Sequence, residues 1–298
     1  MAEILPILLK ISLVLYITGS LLGMGLRLKL EDALGGLRNL RFVTLGLVWG
    51  FVLCPALAYL LTRIIPLEQA YAIGLILLGM VPCAPFLPMM VDKARGDLGY
   101  AAAFMLLAAV VMVVYLPLMV PVVAAGLTVN AWTIAKPLLF LVLVPMVIGM
   151  AILRASEPVA ARIHPFIKKT TDVATIVMLV LCVIIYGKAF VGMAGSFAIG
   201  TQILFFSIVS IASYGLAFGL QQRQRSVLSL GLTMRNLGAA LAPLFSIPDV
   251  DQRSIIMVVL AVPMQLTAGW LAANWFARHA FIGEQGATPG AKEGLAKG

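Results

Sequence analysis

The sequence predicts an all-α polytopic membrane protein with about nine transmembrane helices. Three observations carry that prediction. The 298-residue chain is 62% hydrophobic and only 11% charged, with a mean hydropathy of +1.07, whereas soluble domains are about a quarter charged and about half apolar. Its apolar residues gather in runs of about 20, the length a helix needs to cross a hydrocarbon core of roughly 30 Å. The runs show no period-2 alternation, which favours helices over a transmembrane barrel. Lipid offers no hydrogen-bond partners, so each span must close its own backbone bonds.

Nine hydrophobic segments are read, at about 4–26, 41–62, 68–93, 98–125, 132–153, 171–192, 201–221, 226–247 and 254–277. The first is taken as a span and not a cleaved signal, because MAEILPILLK carries Glu3 and no basic n-region. The connecting stretches are short, so a single transmembrane domain is expected over 1–280. The Gly-rich polar tail, 281–298, is expected to be disordered.

The basic residues set an orientation. Of 21 Lys and Arg, fifteen fall in one set of alternate loops and the tail: Arg27, Lys29, Arg38 and Arg41; Lys93 and Arg95; Arg154, Arg162, Lys168 and Lys169; Arg223 and Arg225; Arg278, Lys292 and Lys297. The other set holds Arg63, Lys188 and Arg253, while Lys10, Lys136 and Arg235 fall inside spans. Cytoplasmic loops are the Lys/Arg-rich ones, so the N-terminus is expected outside and the C-terminus in the cytoplasm. The same asymmetry accounts for the formal charge of +9. The implied partner is the lipid bilayer, with no nucleic acid. Cys54, Cys83 and Cys182 each sit in an apolar run without CxxC spacing, and read as small buried hydrophobes.

Two spans are interrupted. The third contains MVPCAPFLPMM, with Pro82, Pro85 and Pro88 within seven residues. Proline lacks the N–H and clashes with the preceding turn, so no regular helix runs through this stretch. Irregular backbone at membrane depth is tolerated only against protein or a water-lined cavity. The eighth contains TMRNLG, Thr233–Gly238, with Gly231, Gly238 and Pro243 weakening the helix around it. Arg235 lies roughly 14 Å along a helix from Ser226, which puts it near the bilayer centre. Interrupted helices in both halves of a chain are the best sequence pointer to a transporter's binding site. Span three runs inward and span eight outward, as inverted repeats over about 1–125 and 132–280 require.

These segments resemble the bile acid:sodium symporter family. GMGLRLKLED (Gly23–Asp32) is similar to that family's motif after an early helix. LLGMVPCAP…DKARGD (Leu77–Asp97) is similar to its first discontinuous helix and the turn that follows, and GLTMRNLGAALA (Gly231–Ala242) to its second. The resemblance implies two inverted repeats, divided into a panel and a core domain, with the broken helices crossing in the core. It also implies a place in a bacterial inner (plasma) membrane. Typical bacterial members have ten spans; the first is missing here, which suits an outside N-terminus.

The family's sodium chemistry does not carry over. Where its members place Ser-Asn after the first break, this chain has Leu87 and Pro88. Hydroxyls early in the next helix are replaced by Ala101 and Met105, and a Gln in the preceding span by Gly50. At the second break a Glu and a Gln become Gly231 and Arg235, and Asn236 alone keeps its character. Sodium needs several oxygen ligands, and almost none remain.

Arg235 is then the residue to explain. A charge at the bilayer centre costs several kcal/mol and marks function by default, and arginine cannot shed its proton. Three readings are open. In the first, the guanidinium supplies the positive charge that sodium brings in the relatives, which predicts a sodium-independent carrier. In the second, its fork binds the substrate's carboxylate, half-helix N-termini add to the attraction, and Asn236 takes a neighbouring carbonyl or hydroxyl. In the third, Arg235 is structural, satisfied by carbonyls freed at the break or by an acid such as Asp92. The expected substrate-binding set is Arg235, Asn236, Pro82, Cys83, Pro85 and Thr233, with no metal site and no cofactor.

Enzyme chemistry finds no support. His164 and His279 fall in loops or span ends, and there is no HExxH, phosphate-binding Gly-Lys-Ser/Thr loop or paired in-membrane carboxylates. Ser207, Ser210 and Ser213 read as a small-residue packing stripe. The expected function is secondary transport of a small organic anion by alternating access. A passive channel, a facilitator or a ligand sensor would use the same cavity, and saturable counterflow separates carrier from channel.

Overall fold

The computed structural model describes residues 4–123, 131–192, 195–246 and 250–285. In chain order they form α1 (Ile4–Gly25), α2 (Leu30–Leu37), α3 (Leu40–Ile64), α4 (Gln69–Gly79), α5 (Leu87–Lys93) and α6 (Leu98–Val123). Then come α7 (Trp132–Ala155), α8 (Glu157–Gly192), α9 (Ala198–Gly215), α10 (Gln222–Thr233), α11 (Leu237–Ser246) and α12 (Gln252–Gln285). Among the described residues six helices, α1, α3, α6, α7, α9 and α12, are long and apolar enough to cross a membrane. The third and eighth hydrophobic segments are split into half-helices, α4/α5 and α10/α11.

Several expectations shift. The segment read at 171–192 belongs to a helix that starts at Glu157 and runs 36 residues. The segment read at 201–221 ends early: α9 stops at Gly215, and the turn after it holds Gly219 at φ 74°, where Arg41 Nη1 donates to its carbonyl at 3.3 Å. Helix α2, not anticipated, buries Ala33 and Gly36; a Cβ on Gly36 would lie 2.6 Å from Ala103 Cβ in α6. Of the tail, Phe281–Gln285 continue α12, and 286–298 lie outside the described residues.

Helix α3 carries a local defect with a clear cause. Pro55 has no N–H for the Phe51 carbonyl four residues back. The helix widens into a π turn over Trp49–Leu53, with Cys54 N–H donating to Trp49 O, and the Tyr115 hydroxyl from α6 donates to Phe51 O at 2.7 Å. In α7 the π turn Leu139–Leu143 likewise precedes a proline, Pro145.

Small residues bring backbones together, as membrane helix packing requires. A Cβ on Gly149 would lie 2.5 Å from Leu22 O, and one on Gly25 2.2 Å from Met146 O, so α1 and α7 cross in direct contact. Gly74 does the same for α4 and α12, where an added Cβ would meet both Met257 Cβ and Ser254 O at 2.7 Å, and Ser254 Oγ donates to Ala70 O at 2.7 Å. Ser229 Oγ of α10 donates to the Ser210 backbone carbonyl of α9 at 2.8 Å. These seatings fix both broken segments against α9 and α12.

Gly149→Val is expected to push α1 and α7 apart and cost about 1–3 kcal/mol, lowering the thermal midpoint in detergent. Gly187→Val, with nothing within 4 Å of its added Cβ, is expected to leave the midpoint in place.

Candidate functional site

The two interruptions meet. Between α4 and α5, and between α10 and α11, the chain leaves the helix, and the two pieces lie antiparallel with Pro82 opposite Arg235. Asn236 N–H donates to Val81 O at 2.9 Å, Cys83 N–H to Gly231 O at 2.8 Å, and Ala84 N–H to Met234 O at 3.0 Å. A broken helix strands N–H and C=O groups, and buried ones must be paired; here each break helps to satisfy the other. Cys83 turns the chain at φ 72°, a region L residues rarely enter, and its N–H is held across the crossing.

Pro82, Cys83, Arg235 and Asn236 are therefore brought together. Two expected ligands carry structural duties as well. Asn236 Oδ1 accepts from Ala239 N–H at 3.1 Å and so caps α11. Thr233 Oγ1 donates back to Ser229 O at 2.8 Å. Pro85 lies off the crossing, half-buried in the turn before α5. Pro88 sits in the first turn of α5, where a missing N–H costs nothing.

Arg235 is 0% exposed. Its backbone N–H donates to Gln265 Oε1 of α12. Its Nη1 donates to Gly79 O at 3.3 Å, at the C-terminal end of α4, where the helix dipole is negative. Its Cζ lies 5.2 Å from the centre of the Phe205 ring in α9, within cation–π range. Among the described residues, Arg235 Nε and Nη2 have no partner, nor have Gln265 Nε2 and Gln202 Oε1. Among the described residues no carboxylate is in ion-pair reach of Arg235, Asp92 included. One carbonyl and one ring do not replace the water a guanidinium loses, and an uncompensated buried charge costs about 3–5 kcal/mol.

Gln202, Phe205 and Gln265 are absent from the sequence-based set. The two glutamines had a signal: a neutral amide inside an apolar run is costly unless paired.

Hydrocarbon packs closely around Gly231 and Gly50. A Cβ on Gly231 would lie 2.5 Å from Phe104 Cδ1 and 3.3 Å from Leu87 Cδ2. One on Gly50 would lie 3.1 Å from Pro82 Cγ. Leu87, Ala101, Phe104 and Met105 are all buried.

A sequence model described as the Sodium Bile acid symporter family matches residues 14–193. No curated protein matches the chain. The matched region contains the first break and stops short of the second.

Gly231→Glu is expected to drive Phe104 from its place and cost about 1–3 kcal/mol. Phe104→Ala in the same chain is expected to lessen the clash of the added carboxylate. Thermal unfolding checks both; unchanged stability of Gly231→Glu alone would contradict the packing described.

Proposed function

The chain belongs to the sodium bile acid symporter family, and from that premise we propose that it carries a small organic anion by alternating access, with Arg235 as the fixed positive charge of its binding site. Members of the family are membrane transporters. The observation that carries the reading is a fully buried guanidinium with, among the described residues, two N–H-bearing nitrogens unbonded and no acid beside it. A charge held at such cost requires a compensating partner, and an anionic substrate is one.

Arg235 has a second consequence for coupling. In the relatives the positive charge at this place enters with sodium. Here it is covalently part of the chain, and Phe104 and Leu87 occupy the space beside Gly231. Another cation would meet both repulsion and hydrocarbon. The carrier is therefore read as sodium-independent. Substrate binding neutralises the guanidinium, which lowers the desolvation cost of closing protein around it.

The surrounding layout follows the same reading. The six long helices, α8 and the two pairs of half-helices make nine spans in one domain over 1–280. Two inverted repeats, about 1–125 and 132–280, contribute one broken helix each. The antiparallel pairing of the breaks supports that symmetry, with the crossing in a core domain beside a panel. Loop charges support an outside N-terminus, and the tail 281–298 on the cytoplasmic side of a bacterial plasma membrane.

Uptake into proteoliposomes of a panel of organic acids, with and without a sodium gradient, tests the proposal. Saturable uptake with counterflow is expected, unchanged by sodium. Arg235→Ala is expected to reduce it about 100-fold or more, since removing one partner of a buried pair costs roughly 3–5 kcal/mol. Sodium stimulation of the unmodified protein would refute the charge replacement, and undiminished transport by Arg235→Ala would refute its role in binding.

A further inference from the structure

We infer that Arg235, Gln265 and Gln202 form one recognition site for a monocarboxylate that carries a hydrogen-bond donor, such as a hydroxyl, close to its carboxylate. The inference rests on the transporter reading above and adds the substrate's class. It begins from four buried polar atoms without partners: Arg235 Nε, Arg235 Nη2, Gln265 Nε2 and Gln202 Oε1.

Their chemistry is specific. Nη1 is engaged by Gly79 O, so the open pair on the guanidinium is Nε with Nη2. That pair is the side-on fork, which matches the two oxygens of one carboxylate. Gln265 has spent its oxygen on the Arg235 backbone N–H, which leaves its amide nitrogen as a further donor. Gln202 has spent its nitrogen on Met257 O, which leaves its oxygen as an acceptor. Each glutamine is thus oriented by a bond to one neighbour, and its open end is fixed by that bond.

The three residues come from three different elements. Gln202 lies one helical turn before Phe205 on α9, and the Phe205 ring faces the guanidinium. Gln265 comes from α12 and Arg235 from the second break. All three are 0% exposed. The set presents donors suited to one carboxylate and one acceptor that a carboxylate cannot satisfy. A simple acid leaves Gln202 Oε1 unpaired, and a second carboxylate would be repelled by it. A hydroxyl beside the carboxylate satisfies it.

Binding to the purified full chain in detergent, measured by calorimetry, reads the inference with lactate, propionate, malonate and chloride as probes. Lactate is expected to bind at least about tenfold tighter than propionate, because an unpaired buried acceptor is penalised. It is expected to exceed malonate and chloride by more. Gln202→Leu is expected to bring lactate and propionate within about twofold of each other, and Arg235→Ala to remove binding of both. Equal binding of lactate and propionate by the unmodified protein, or competition by chloride at equal concentration, overturns the inference; this comparison needs no variant to fold. Parallel uptake separates the two readings. If both acids are carried without preference, the substrate class falls and the transporter stands. If lactate binds with preference and nothing is carried, the site stands and the transporter falls.

Discussion

A guanidinium that cannot lose its proton sits at a point that bulk water does not reach and that, among the described residues, no carboxylate reaches. Much of the surrounding architecture serves to keep it there. Its backbone is held by the antiparallel pairing of the two breaks and by Gln265, and its side chain by the carbonyl end of α4 and the face of Phe205. Neither break is independently satisfied. Each has stranded N–H and C=O groups, and the crossing pairs several of them. The crossing in turn depends on close helix contacts elsewhere. Gly74 lets α4 lie against α12, and Gly269, where a Cβ would fall 1.8 Å from Met234 Cε, makes room for the second break.

On the proposed reading, the fixed charge also changes what the fold can couple to. A carrier that waits for a cation needs open oxygen ligands and a negative or neutral site. This chain has Gly231, Arg235, Ala101 and Met105 where the resemblance to the family implies an acid, a glutamine and hydroxyls. Ala101 and Met105 are buried, and Phe104 fills the place a longer side chain at 231 would take. Family membership and the proposed independence of sodium are thus compatible. The first concerns how the chain crosses and recrosses itself, and the second only the few side chains at the crossing.

Much of this was legible in local sequence. Hydropathy located the six long apolar helices, and Pro82, Pro85 and Pro88 marked the first break because proline acts on its own backbone. Arg235 stood out by cost alone. What escaped was set by distant residues. Nothing near Gly79 shows that its carbonyl takes an arginine from residue 235, and nothing near Phe104 shows that it faces Gly231. Asn236 has the sequence of a helix cap as well as of a ligand, and the cap is what its oxygen does. The π turns had a local cause in Pro55 and Pro145 that hydropathy does not register. The early start of α8 was hidden by its polar first turns, which a span-seeking pattern discards. Gln202 and Gln265 were visible as types, but their open atoms follow from which half of each amide is already bonded.

Charge displacement on a protein-loaded membrane is the most direct test of whether the site's positive charge is built in. In sodium-free buffer, a jump in the concentration of a bound anion is predicted to give a transient current carrying negative charge into the protein. A sodium jump without the anion is predicted to give none. A transient current on the sodium jump alone would contradict the account, because it would show a cation entering a site that Arg235, Phe104 and Leu87 are held to close.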